Sequence, residues 1–110
     1  MNWYDKYLPE VREDIHKLDG SQRKLVRKAI EKVKKNPLPA DEGGYGKPLG
    51  HKQGTNLTSF LKVKLRASGL RIVYKLERSE SSFLVVIVGV RADEEVYKEA
   101  QSRVKKHGLL

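Results

Sequence analysis

Cysteine is absent from the 110 residues, and this gap alone excludes disulfides, a thiolate nucleophile, thiolate-bound zinc and iron–sulfur clusters. A chain without thiols fits a reducing compartment, so the cytoplasm is the expected location. Long hydrophobic runs are missing as well. The longest, 83–90, has eight residues, against the roughly twenty needed to span a bilayer. The first twenty residues lack a basic segment followed by an apolar one, and no membrane partner is expected. Histidine is scarce: His16, His51 and His107 fall on a helix, a loop and the tail without ligand-like spacing, so neither a metal nor another cofactor is implied. The serines sit mostly in turns, none in a nucleophile-elbow pattern. Acidic groups are in short supply too, with 14 Asp and Glu against 23 Lys and Arg, a net charge of +9.

The length suits a single domain, 1–110, that buries roughly two-thirds of its unfolded surface. Its charge excess is local. Residues 21–38 carry +6 and residues 47–78 carry +7, while the rest of the chain is neutral or acidic. Two cationic blocks of this size point to a polyanionic partner.

Tyr4, Tyr7, Leu8, Val11, Ile15 and Leu18 recur at helical spacing and predict a helix over about 8–18, with Pro9 near its start. Residues 3–7 fit a strand about as well as a helix. Gly20 closes this helix and Ser21 caps a second one, in which Leu25, Val26, Ala29, Ile30 and Val33 form the apolar stripe until Asn36-Pro37 ends it. From 36 to 58 no period is sustained, a long loop for a compact domain, with Leu49 as a central anchor. Strict alternation over 60–66, a turn with Gly69 available for positive φ, and a partner over 70–76 predict a β-hairpin. The stretch 83–90, apolar on both faces, reads as a central strand. Asp93, Glu94 and Glu95 precede Lys98, Arg103, Lys105 and Lys106, a gradient that complements the dipole of a helix over 93–106. The order ααβββα defines an α+β domain: an N-terminal αα-hairpin packed on a mainly antiparallel three- to four-stranded sheet, with a C-terminal helix.

The hairpin holds the available chemistry. Lys62 and Lys64 leave one face of their strand roughly 7 Å apart, Arg66 continues the row, Arg71 projects from the same face of the paired strand, and Arg91 follows the central strand closely enough to join them. No acid interrupts the row in sequence. A charge run is usually a solvated face; an unneutralised one confined to a single strand face suits phosphate binding, because each contact releases counterions and arginine grips oxygens in a fork.

The combination Lys62-x-Lys64-x-Arg66, Arg71-x-x-Tyr74, Val88-Gly89-x-Arg91 and Val96-Tyr97 resembles the RelE family of bacterial toxins, the ribosome-dependent mRNA interferases of type II toxin–antitoxin pairs. The likeness covers essentially the whole chain, including the two N-terminal helices and the Lys47-Pro48-Leu49 element. It implies a RelE-like fold and a catalytic surface of Lys62, Lys64, Arg71, Arg91 and Tyr97 that cuts mRNA in the ribosomal A site by attack of a ribose 2′-OH on the adjacent phosphate. Such a cut needs an acceptor for the 2′-OH proton, positive charge on the phosphorane and relief of charge on the leaving 5′-oxygen; the resemblance implies Lys64 or Lys62 as the base, Arg71 on the phosphate and Arg91 at the leaving oxygen, while Tyr97 orients a base or packs the last helix on the sheet. Arg66 and Lys75 become RNA-binding residues. The second cationic block, with Arg23, Lys24, Arg27 and Lys28, contacts ribosomal RNA or serves solubility. The implied partners are mRNA and ribosomal RNA on the ribosome and a small, acidic, partly disordered antitoxin. A ParE-like toxin acting on a protein target such as gyrase is the alternative, since many such relatives lack the full basic set. Leu70, where an aromatic is common, and the long 39–58 loop depart from the family pattern.

Overall fold

Local capping sets the helices. Pro9 occupies the first turn of α1 (Pro9–His16), where its missing N–H costs nothing. Asp19, rather than Ser21, caps α2 (Gly20–Lys35): its Oδ1 accepts the Gln22 N–H at 2.8 Å, and the Gln22 Oε1 accepts the Asp19 N–H at 3.0 Å, a complete capping box. Gly20, expected to close the first helix, is thus the first residue of the second. The buried stripe of α2 is Val26, Ala29, Ile30 and Val33; Leu25, assigned to it from the spacing, lies outside it and is 40 % exposed.

The computed structural model describes residues 3–50, 57–65 and 68–109. Its elements run β1 (Tyr4–Tyr7), α1, α2, a 3-10 turn (Ala40–Glu42), β2 (Lys47–Gly50), β3 (Leu57–Leu65), β4 (Leu70–Glu77), a second 3-10 turn (Arg78–Glu80), β5 (Ser82–Gly89) and α3 (Asp93–Lys106). They form one sheet in the order β1-β5-β4-β3-β2. The expected α+β class and antiparallel meander hold, and α3 has the expected bounds. The sheet has five strands rather than three or four, because the two ambiguous regions each supply one. Residues 4–7 pair parallel to β5 (Tyr4↔Ser82, Tyr7↔Val85), and Lys47–Gly50, inside the expected loop, pairs antiparallel with β3, which itself begins at Leu57. Gly69, at φ 74°, makes the β3–β4 turn.

The core lies between this sheet and its helices, with Ile72, Val73, Tyr74, Phe83, Val85, Val86 and Ile87 fully buried. The buried Tyr74 hydroxyl donates to the Pro37 carbonyl at 2.7 Å, tying the sheet to the end of α2. Gly46 lies against that hydroxyl, where a β-carbon would collide with it. β1 covers β5 only as far as Val85; beyond it α1 crosses the edge. There Asp14 Oδ2 accepts the Val88 N–H at 3.1 Å and Arg103 Nη1 donates to the Val86 carbonyl at 3.0 Å, while the two side chains pair at 2.6 and 2.8 Å. This buried ion pair stands where a neighbouring strand would. Among the described residues no helix is long and apolar enough to cross a membrane.

Candidate active site

Strand register builds the site. Alternation along β3 sends Lys62 and Lys64 to one face, and the β3–β4 pairing sets Lys64 opposite Arg71 and Lys62 opposite Val73. Arg71 in turn lies opposite Gly89 at the end of β5, from which the chain passes through Arg91 to the first residue of α3. The helix then lies across this same face. Lys62 and Arg71 are therefore covered, while Lys64 stays exposed at the rim.

Lys62 is 9 % exposed and Tyr97 2 % exposed. The Lys62 ammonium donates to the Tyr97 hydroxyl at 2.6 Å and stands 5.2 Å from the ring centroid, so its charge is stabilised by an oxygen and a π-face together. Burial on this scale leaves no ring face of Tyr97 open to a base, and of its two expected roles the arrangement matches packing. Arg71 is anchored through three contacts: Nη1 donates to the carbonyls of Gly69 at 2.8 Å and Arg91 at 2.6 Å, and Nε donates to Asp93 Oδ1. The other carboxylate oxygen of Asp93 lies 3.5 Å from Lys64 Nζ.

Asp93 corrects the expectation of an unneutralised row. No acid lies among the lysines in sequence, yet the first residue of α3 brings a carboxylate between Lys64 and Arg71. Burial alone would raise its pKa; the Arg71 hydrogen bond and the charges of Arg71, Lys62 and Lys64 override that and hold it below the ordinary carboxylate value. Sequence reasoning assigned Asp93, with Glu94 and Glu95, to the helix dipole alone. The signal for more was its place two residues after Arg91, directly beyond the strand that pairs with Arg71.

Four of the five expected catalytic residues thus come together: Lys62, Lys64, Arg71 and Tyr97. Arg91 joins through its carbonyl, while its side chain lines a neighbouring cleft with Gln22 and Glu99. Lys75 lies four residues beyond Arg71 on β4, about 13 Å along the strand, in the field of Glu80 and away from the cluster. Arg66 lies outside the described residues. In the other basic block, Arg23 is engaged at the end of α1, donating to the carbonyls of Ile15 at 3.1 Å and His16 at 2.7 Å; Lys24, Arg27 and Lys28 are exposed. Among the described residues no three His, Asp or Glu side chains gather in a way that could hold a metal ion.

The chain is thus a five-stranded α+β domain whose last helix packs on a lysine–arginine cluster and sets its own carboxylate among the cations. Comparison with known proteins gives that class a family. The mRNA interferase toxin RelE of Escherichia coli strain K12 is 31 % identical over 88 residues, covering 80 % of this chain and 82 % of the relative. The structure of a mutant E. coli toxin RelE in the free state matches with a TM-score of 0.71 and 27 % identity, covering 94 % of this chain and 99 % of the other. A RelE mutant in complex with a peptide of the antitoxin RelB matches with a TM-score of 0.65 and 26 % identity, over 91 % and 95 % of the two chains. No family model matches the sequence. At this identity and coverage the chain belongs to the RelE family of toxins, as the motif of lysines, arginines and tyrosine implied.

Proposed function

We propose that this chain is the toxin of a type II toxin–antitoxin pair: a single RelE-like domain, working in the bacterial cytoplasm, that cuts mRNA in the ribosomal A site. The observation that carries the reading is the convergence of Lys62, Lys64 and Arg71 beneath Tyr97, at the positions of the family motif, in a chain 31 % identical to a named mRNA interferase.

The chemistry follows from these groups. Lys64, whose side chain is 39 % exposed, acts as the neutral amine, released from Asp93 and with its own proton given up to solvent, and accepts the proton of the ribose 2′-OH as that oxygen attacks the adjacent phosphorus. Arg71, fixed by two carbonyls, holds the oxygens of the phosphorane. The P–O5′ bond breaks, leaving a 2′,3′-cyclic phosphate, and the 5′-oxygen takes up a proton from water while Arg91, swung in from the neighbouring cleft, offsets its charge. Lys62, buried against Tyr97, adds fixed positive potential. Arg66 and Lys75 flank the RNA, and Lys24, Arg27 and Lys28 face ribosomal RNA. The partner is an antitoxin, as the antitoxin peptide bound to a RelE relative supports; an acidic, partly disordered one would cover the basic surface.

Primer extension on translated mRNA tests the reading. Wild type should give codon-positioned cuts that Lys64→Ala and Arg71→Ala abolish. Growth arrest without any cuts would overturn the nuclease and favour a ParE-like action on a protein target.

A further inference from the structure

We propose that a cleft beside the lysine pair is a second RNA subsite, in which Tyr45 stacks the base of a nucleotide flanking the scissile phosphate. The inference rests on the nuclease reading above and extends it to how the strand is held.

β2 pairs with β3 only as far as Lys62, which faces Lys47. Among the described residues no strand lies beside residues 63–65 on that side. In its place is a cleft of about 540 Å³ between the free edge of β3 and α2, within the roughly 300–1,000 Å³ usual for ligand sites. Its basic side chains are Lys32, Lys47, Lys62 and Lys64, and among the described residues no acidic one lines it. Tyr45 stands at its wall, 45 % exposed, with the Lys32 ammonium 4.7 Å from the ring centroid. The ring is presented from a pinned loop, since the Tyr45 N–H donates to the Asn36 carbonyl and the Gly46 N–H to the Leu38 carbonyl, both at 3.2 Å.

An exposed aromatic plane set among cations is how proteins hold single-stranded nucleic acid: the charges follow the backbone and the ring accepts any base face. The free edge of β3 adds backbone donors and acceptors for the rim of that base. Lys62 and Lys64 belong to both the cleft and the catalytic cluster, so a strand whose scissile phosphate sits at Arg71 and Lys64 passes over the β3 edge directly into the cleft. A peptide strand could use the same edge, but it would leave the aromatic plane and its cation without a function, which favours RNA.

The test uses a short single-stranded RNA with a 2′-deoxy nucleotide at a cut site mapped by primer extension, so that binding is read by fluorescence anisotropy at low salt without cleavage. Tyr45→Ala should weaken binding about tenfold, and Tyr45→Trp should retain it. An abasic nucleotide at one position flanking the cut should weaken wild type by a similar factor and add nothing to Tyr45→Ala. On translated mRNA, Tyr45→Ala should cut at the same sites with reduced efficiency. Tyr45→Ala matching wild type in binding and cutting, or abasic losses equal in both proteins, overturns the subsite while leaving the nuclease intact. An effect of Tyr45→Ala confined to binding an acidic peptide assigns the cleft to a protein partner and also overturns it. Absence of both RNA binding and cuts in wild type removes the nuclease reading and the subsite together.

Discussion

Replacing Asp93 with Asn should strengthen RNA binding. Its carboxylate occupies the space between Lys64 and Arg71, which is where the proposed nuclease would seat a phosphate, so on that reading binding has to break the contact with Arg71 first. A charge-assisted hydrogen bond of this kind contributes about 1.5–3 kcal/mol, and the looser 3.5 Å contact with Lys64, half open to solvent, adds little. With about 1.4 kcal/mol to a factor of ten, removing the competitor should raise affinity about tenfold or more. Arg71 should keep its orientation in the variant, because the Gly69 and Arg91 carbonyls still hold Nη1. The assay is anisotropy of a non-cleavable RNA across a salt series. Losing one negative charge from the cluster exposes one more cation to the RNA, and the slope of log K against log salt should steepen by about 0.7. Weaker binding by Asp93→Asn with an unchanged slope would refute the reasoning and make Asp93 a brace for Arg71. The helix also loses an acid from its first turn, so a small fall in melting temperature is expected and does not bear on the choice.

Three further outcomes concern stability. Asp14→Ala should lower the unfolding free energy by about 3–5 kcal/mol in urea titrations, and replacing both Asp14 and Arg103 by apolar residues should leave a deficit, because the Val88 N–H and Val86 carbonyl would then be orphaned at about 1–3 kcal/mol each; a double variant as stable as wild type would show that the strand edge is satisfied otherwise. Gly46→Ala should destabilise the protein by pressing on the Tyr74 hydroxyl, and Tyr74→Phe should cost about 1 kcal/mol alone but recover part of the loss in the Gly46→Ala background, as thermal unfolding of the four proteins would show. Glu10 joins α1 to the last turn of α3; the His107 ring, with help from its own backbone and Lys106, pulls its pKa from 4.5 to about 2. A depressed carboxyl contributes its stabilisation above pH 4.5 and loses it as pH falls toward 2, so the stability gap between wild type and Glu10→Gln should close over that window, and a gap that persists below it would exclude the contact as the cause.

What the sequence could reveal depended on whether a feature carried its own signal. α3 announced itself by its acid-to-base gradient, and Lys62, Lys64 and Arg71 by alternation around Gly69, since hairpin register is local. β1 was ambiguous because three of its four residues are exposed and its partner is β5, far along the chain. β2 carries Pro48 and Gly50, which argue against a strand except at an edge, where it lies. Which face α3 would cover was not legible either. That contact sets Tyr97 on Lys62 and Asp93 on Arg71, and it depends on tertiary packing that no periodicity encodes. The same holds for Asp14, which no pattern singles out, and for Arg103, which the sequence marks only as part of the basic end of α3.

The pairing of Tyr4 with Ser82 bears on timing. The first strand of the nascent chain stays without its partner until residues 82–85 have been made, and the lysine–arginine cluster lacks both Tyr97 and Asp93 until residues 93–106 follow. Non-local pairing of this kind is slow to form. If the proposed ribosomal target is the right one, the surface that acts on it is the last to be assembled, complete only when residues 93–106 have docked on the sheet.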